Sequence, residues 1–123
     1  MTDEGIKTIL LVEDQAIIAL KEAKTIQNFG YQVETVHTGE DAVTQALDDQ
    51  KIDLILMDID LGSGIDGTEA ARQILAQRNL PIVFLTSHAE EDYVEKAREI
   101  TRYGYVLKNS GDFVLRASIE MAF

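Results

Sequence analysis

Short apolar runs recur along the chain at regular intervals. Three of them, at residues 9–12, 54–57 and 82–85, are continuous and rich in branched side chains, which is typical of parallel strands buried on both faces. Residues 31–36 alternate apolar and polar positions, which predicts a strand at a sheet edge with one wetter face. Residues 105–107 are a short fifth candidate, so five strands are expected.

Between these runs the apolar spacing becomes helical. Apolar residues recur three or four positions apart, which predicts amphipathic helices that each place one stripe on the sheet. The predicted stripes are Ala16, Ala19, Leu20, Ala23 and Ile26; Ala42, Val43, Ala46 and Leu47; Ala70, Ala71, Ile74 and Leu75; and Tyr93, Ala97 and Ile100. Gly30 is expected to end the first helix, and Thr38 and Asp66 to cap the second and third.

The alternation of strand and helix predicts a doubly wound α/β fold, because right-handed crossovers place helices on both faces of a parallel sheet. With 123 residues and no linker or repeat, residues 1–123 are expected to form one domain. The net charge of −11 disfavours nonspecific binding to nucleic acid or anionic membrane. No apolar run approaches the length of a membrane span or a signal peptide core, so no membrane insertion and a cytoplasmic location are expected.

Polar side chains follow four of the five predicted strands. Glu13 and Asp14 follow the first strand, and Asp58 follows the third. Thr86 follows the fourth strand and Lys108 the fifth. Ligands of open α/β sheets bind outside the carboxyl ends of the strands. Three acids, a hydroxyl and a lysine are therefore predicted to meet in one crevice, a composition expected of a phosphate and divalent-metal site.

The acidic residues need a partner of opposite charge. Two carboxylates about 4 Å apart repel by roughly 4 kcal/mol at an effective dielectric near 20. Hard cations such as Mg²⁺ (or Mn²⁺) take oxygen ligands, which Glu13, Asp14, Asp58 and the backbone carbonyl of Asp60 can supply. A carboxylate can also attack phosphorus to give an aspartyl phosphate, with Lys108 and a nearby hydroxyl balancing the phosphoryl charge.

These residues, in this order, resemble the receiver domain of two-component response regulators over essentially the whole chain. The resemblance implies a flavodoxin-like sheet of order 2-1-3-4-5 flanked by five helices. The implied site roles are phosphoacceptor for Asp58, metal ligands for Glu13 and Asp14, switch hydroxyl for Thr86 and phosphate contact for Lys108. The implied donor is a histidine kinase or histidine phosphotransfer protein, and the signal would pass to an output domain or partner protein.

Some positions of the family pattern need separate mention. Tyr105 matches the aromatic residue whose rotamer reports activation in the family, although a core role at an edge strand is an alternative. The loop after Asp58 contains Gly62-Ser63-Gly64 and is one residue longer than usual. Asn109 follows Lys108 where the family usually has proline, so a trans peptide bond is expected there.

Two other functions fit parts of the sequence. Asp58-Ile59-Asp60 resembles the DxD motif of haloacid-dehalogenase-type phosphatases, which also form an aspartyl phosphate with Mg²⁺. A receiver-like interaction module that is never phosphorylated is the second alternative. Acetyl phosphate with Mg²⁺ would distinguish all three, because only a receiver should accumulate a stable phosphoryl group.

The last predicted helix has more apolar surface than one sheet can cover. Its apolar residues spread over roughly 200° of the helical wheel, whereas packing on a sheet needs a stripe of about 100°. They are Val114, Leu115, Ala117, Ile119, Met121 and Ala122. A homodimer through this helix, or a contact with a further domain, is expected, and simple exposure of Ala and Met is the alternative.

Overall fold

Five strands form a single sheet in the computed structural model, which describes residues 5–86, 105–108 and 110–123. All neighbouring strands are parallel, and their order is β2-β1-β3-β4-β5. The strands are β1 Thr8–Val12, β2 Gln32–Val36, β3 Ile52–Asp58, β4 Ile82–Thr86 and β5 Tyr105–Leu107. The predicted strand number, direction and order are confirmed.

The structure describes four helices, which are α1 (Ala16–Asn28), α2 (Gly39–Asp48), α3 (Gly67–Leu75) and the C-terminal helix (Asp112–Ala122). The predicted fourth helix, with Tyr93, Ala97 and Ile100, lies outside the described residues, as does the peptide bond between Lys108 and Asn109. In the described part of the chain, no helix is both long enough and apolar enough to cross a bilayer.

The predicted helix ends are confirmed. The Thr38 hydroxyl accepts a hydrogen bond from the Asp41 backbone N–H at 3.0 Å, and the Asp66 carboxylate accepts one from Glu69 N–H at 2.9 Å. These contacts satisfy backbone donors that have no partner within the first turn of α2 and α3. Gly30 follows α1 with a φ of 104°, a conformation that glycine adopts without steric cost.

The strands separate two helical layers, because alternate side chains point to opposite faces of the sheet. Leu10 and Val12 of β1 pack with α2 and α3, whereas Ile9 and Leu11 pack with α1 and the C-terminal helix. We call these the α2–α3 layer and the α1 layer. The doubly wound arrangement is confirmed.

One predicted stripe is wrong in part. Leu20 is 73% exposed and Ala16 is also exposed, so neither belongs to the buried face of α1. The residues that face the sheet are Ala19 and Ile26, with Ala23 half-buried between them. Leu20 lies about 100° around the helix from Ala19 and therefore points to solvent.

Arg78 closes the end of the α2–α3 layer. Its guanidinium donates hydrogen bonds of 2.7–3.1 Å to the backbone carbonyls of Ala46, Asp49, Gln50 and Ile52. These carbonyls end α2 and begin β3, so one side chain satisfies acceptors that the helix end leaves without partners. The guanidinium provides five donors in a rigid plane, which suits several carbonyls at once.

Candidate functional site

The register of the sheet brings the predicted site residues to one edge. Val12 lies opposite Met57, so Glu13 and Asp58 leave neighbouring strands at the same level. Asp58 lies opposite Leu85, the residue before Thr86. Because all these strands are parallel, their carboxyl ends form one rim of the sheet.

Three carboxylates form an acidic cluster at this rim. One oxygen each from Glu13, Asp14 and Asp58 lies within 4.8 Å of the others. Glu13 and Asp58 are buried, whereas Asp14 is exposed at the opening of the cluster. Buried carboxylates at this separation require a positive partner or a proton.

Lys108 supplies one positive charge to the cluster. Its Nζ donates to Glu13 Oε1 at 2.7 Å and to Asp58 Oδ2 at 2.8 Å. The backbone holds the lysine in place, because Lys108 N–H donates to the Thr86 carbonyl at 2.9 Å. One ammonium thus faces three carboxylates, and the cluster keeps an excess of negative charge.

The pKa values of the three carboxylates show which of them takes up a proton and so reduces the excess of negative charge. Burial and neighbouring Glu13 raise the pKa of Asp58, Lys108 offsets part of the increase, and the resulting pKa is about 7. Burial also acts to raise the pKa of Glu13, but its hydrogen bonds with Asp58 and Lys108 outweigh burial and leave the pKa below its ordinary value. Burial and Glu13 raise the pKa of Asp14. Near neutral pH, Asp58 is therefore the carboxylate of the cluster that is partly protonated.

The ammonium of Lys108 is held in its charged form. Burial by itself would lower its pKa, but the hydrogen bonds with Asp58 and Glu13 outweigh burial and raise it. This assignment agrees with the two short contacts, since a charged donor makes stronger hydrogen bonds to carboxylates than a neutral amine.

The donor set of the cluster suits a hard divalent cation. Glu13, Asp14 and Asp58 offer only carboxylate oxygens, and Lys108 neutralises one of the three charges. Asp60, the fourth predicted ligand, is exposed next to them, and its N–H donates to Asp58 Oδ1 at 3.2 Å. The Asp60 carboxylate accepts from Gly62 N–H at 3.3 Å and shapes the loop rather than joining the cluster.

Helix α3 begins directly against the backbone of the site. Gly67 N–H donates to the Ile59 carbonyl at 2.9 Å, and a Cβ atom at Gly67 would overlap the Asp58 carbonyl oxygen. Only glycine allows this approach. Asp66 therefore caps α3, as predicted, and Gly67 allows the helix to begin close to the Asp58 backbone.

Thr86 and Tyr105 lie at opposite ends of neighbouring strands. Thr86 is the last residue of β4, is buried and lies opposite Leu107 in the register. Tyr105 begins β5 and is 37% exposed, so in this structure it is not a core residue. Lys108 follows the other end of β5.

Two features near the site were not predicted from the sequence, a contact of His37 and the inward position of Glu22. His37 Nδ1 lies 2.9 Å from the Glu13 carbonyl oxygen and ties the loop after β2 to the loop after β1. Glu22 of α1 turns its side chain inward, towards a cavity beside Lys108. The one signal for Glu22 was its position, three residues after Ala19 and four before Ile26 on the same face of the helix.

Comparison with known proteins identifies the family. The model of the response regulator receiver domain matches residues 9–120. The transcriptional regulatory protein PdtaR of Mycobacterium tuberculosis is 34% identical over 117 residues, which cover 94% of this chain and 56% of that protein. The chain spans about half the length of the curated relatives it matches.

Solved structures agree with this match. The N-terminal domain of a response regulator/sensory box/GGDEF three-domain protein from Carboxydothermus hydrogenoformans is 46% identical, with a TM-score of 0.86 and coverage of 94% of this chain and 93% of that one. The receiver domain of a modulated diguanylate cyclase from Desulfovibrio desulfuricans is 35% identical, with a TM-score of 0.84 and coverage of 95% and 93%. The chain therefore belongs to the response regulator receiver domain family, whose members are phosphorylation-dependent signalling switches.

Proposed function

We propose that residues 1–123 act as one receiver domain and that Asp58 is its phosphoacceptor. The observation that carries this proposal is the position of the Asp58 carboxylate. It is buried at the end of β3, 2.8 Å from the Lys108 ammonium and among two further carboxylates. A buried nucleophile beside a fixed positive charge is suited to accept a phosphoryl group.

The proposed reaction transfers a phosphoryl group from a histidine nitrogen to a carboxylate oxygen of Asp58. A carboxylate oxygen of Asp58 attacks the phosphorus of a phosphohistidine, so that an O–P bond forms as the N–P bond breaks. The imidazole nitrogen leaves with the bonding electron pair and takes up a proton. The product is an acyl phosphate on Asp58. The negative charge that the carboxylate carried now lies on the phosphoryl oxygens.

Lys108 and Thr86 are proposed to respond to this movement of charge. The Lys108 ammonium lies within reach of Asp58 and would contact the phosphoryl oxygens once the carboxylate has become an acyl phosphate. The Thr86 hydroxyl is proposed as a second donor at the end of β4, and Tyr105 as the aromatic residue that reports the change. Lys108 also joins the ends of β4 and β5, since its backbone N–H donates to the Thr86 carbonyl.

We propose Mg²⁺ (or Mn²⁺) as the cofactor of the acidic cluster. Glu13, Asp14 and Asp58 would hold the ion, with the Asp60 backbone carbonyl as a further ligand. When bound, the ion supplies positive charge that offsets repulsion between the carboxylates and the incoming phosphoryl oxygens. The excess of carboxylates over lysine in the cluster supports this assignment.

The proposed partners are a histidine kinase or histidine phosphotransfer protein and an output domain. PdtaR is named a transcriptional regulatory protein, and the Carboxydothermus domain comes from a three-domain protein with a GGDEF module. Either kind of output is compatible with a chain that spans about half of its curated relatives. We also propose a cytoplasmic location, as expected from the short apolar runs of the sequence.

A contact of the C-terminal helix with a second copy or with a further domain stays a prediction, and the homodimer is the form that this chain by itself can test. Phe113 and Met121 on this helix are 85% and 86% exposed, while Ile119 and Ala122 pack on the sheet. Light scattering should show a dimer at high concentration, and Met121→Glu should return it to a monomer. A strict monomer in both proteins would contradict the prediction.

Phosphorylation with acetyl phosphate and Mg²⁺ tests the site assignment. Intact-mass spectrometry should show one added phosphoryl group on the wild type and on Asp60→Asn, and none on Asp58→Asn. Asp14→Asn should chiefly raise the Mg²⁺ concentration that is needed. A phosphorylated Asp58→Asn variant would contradict the assignment. Steady hydrolysis of acetyl phosphate by the wild type would indicate the phosphatase, and a wild type that stays unmodified would indicate an interaction module.

A further inference from the structure

A cavity lies between α1, the carboxyl ends of β4 and β5, and the C-terminal helix. Its volume is about 500 Å³, which falls in the range of small-molecule sites. Most of its wall is apolar, formed by Ile18, Ile26, Leu85, Val106 and Leu115. Lys108 contributes to the same wall, so the cavity lies behind the lysine of the acidic cluster.

Glu22 is an acid in this apolar wall. Its Oε2 is shielded from solvent and has no hydrogen-bond partner among the described residues. Burial, with a smaller contribution from the charge of Glu13, raises the pKa of Glu22 to about 7 even though Lys108 acts to lower it. Buried carboxylate oxygens in folded proteins normally have a partner, so a lone one beside a cavity points to a ligand that supplies the donor.

The other charged groups at the cavity do not provide that donor. The Lys108 ammonium already bonds to Glu13 and Asp58. Lys21 also lines the cavity, but it makes no hydrogen bond to Glu22 Oε2. Asp112 adds a second acid to the lining.

We propose that this cavity binds a small organic cation, an ammonium or amidinium group on an apolar body. The nitrogen would donate to Glu22, and the apolar body would occupy the space between Ile26, Val106 and Leu115. The carboxylate of Glu22 would select the positive charge of the ligand, and the aliphatic side chains of the wall would select its apolar body. The acidic net charge of the chain also attracts cations.

Titration with a matched pair of probes tests this proposal. We choose 2-phenylethylamine and its neutral analogue 2-phenylethanol, added to the ¹⁵N-labelled protein slightly above neutral pH and followed by amide chemical shifts. The amine should bind saturably, about tenfold or more tightly than the alcohol, because only the amine makes a charge-assisted hydrogen bond. The shifts should map to α1 and the C-terminal helix.

Variants separate the charge from the shape of the cavity. Glu22→Gln keeps the size of the side chain and should abolish the preference for the amine over the alcohol. Glu22→Met serves as a second neutral variant with the same expectation. Glu69→Gln, a carboxylate on the surface of α3, should keep the preference of the wild type. Absent saturation, shifts elsewhere, or a preference that survives both Glu22 variants would overturn the proposal.

Discussion

The two faces of the sheet are covered by helices in different ways. In the α2–α3 layer, fifteen buried apolar residues from the described ranges form one cluster, and Arg78 closes its end through four backbone carbonyls. In the α1 layer, the part of the chain that the structure describes contributes ten buried apolar residues, and Glu22 lines a cavity beside them. Both layers pack against the same strands, so the strands themselves do not cause the difference.

The difference teaches where this chain accepts imperfect packing. The α2–α3 layer supports the backbone of the acidic cluster, since α3 begins against Asp58, and close packing there holds the carboxylates in place. The α1 layer borders Lys108 and keeps an acid among aliphatic residues at a cost in stability. Helix packing therefore supports the backbone at Asp58 from one face of the sheet, and a cavity borders Lys108 on the other face.

Shortening one core side chain in each layer should break the comparison most strongly. Ile74→Ala should lower the free energy of unfolding by about 3 kcal/mol, because Ile74 is fully buried and the closely packed layer cannot fill the space. Leu115→Ala should cost about 1 kcal/mol, since Leu115 is half-buried and already borders a cavity. Urea unfolding measures both, and equal losses would show that the layers are packed alike.

The approach of α3 to the site gives the next largest effect. Gly67→Ala should destabilise the protein by about 2 kcal/mol, because its Cβ would overlap the Asp58 carbonyl oxygen and the helix would have to shift. The same shift should weaken Mg²⁺ binding by the acidic cluster. Ala70→Gly, in the same helix, is the control for helix propensity and should leave Mg²⁺ binding unchanged. Wild-type stability of Gly67→Ala would contradict the packing argument.

The smallest expected effect is the pH dependence that Glu22 adds to the α1 layer. Its pKa rises from an ordinary 4.5 to about 7 on folding, so between these values the folded state holds more protons than the unfolded state. Stability should therefore fall as the pH rises through this window. After allowance for partial solvent screening, the loss from Glu22 is about 1–2 kcal/mol.

Glu22→Gln isolates this contribution. Unfolding curves of the wild type and the variant should diverge between pH 4.5 and 7, with the variant the more stable protein at the upper end. Contributions from Asp58 are common to both proteins and cancel in the difference. Glu69→Gln is the matched control on the other layer and should follow the wild type. Parallel curves for the wild type and Glu22→Gln would show that Glu22 is not desolvated.

The sequence pattern predicted most of the fold and the members of the site. Continuous apolar runs identified the buried strands, and the polar residues at their ends identified Glu13, Asp58 and Lys108. Leu20 was misplaced because an apolar residue beside a helical stripe can face either way, and only packing decides. Arg78 was missed because its partners are backbone carbonyls, which carry no sequence signal.

By itself, then, the sequence determined the order of the elements, the parallel sheet and the set of side chains at its carboxyl edge. These follow from periodicity and from position along the chain, which are local properties. The tertiary structure decided that one lysine bridges Glu13 and Asp58, that Asp58 rather than Glu13 has the raised pKa, and that Glu22 faces a cavity. Each of these depends on distance and desolvation between residues far apart in the chain, and only folding brings such residues into contact.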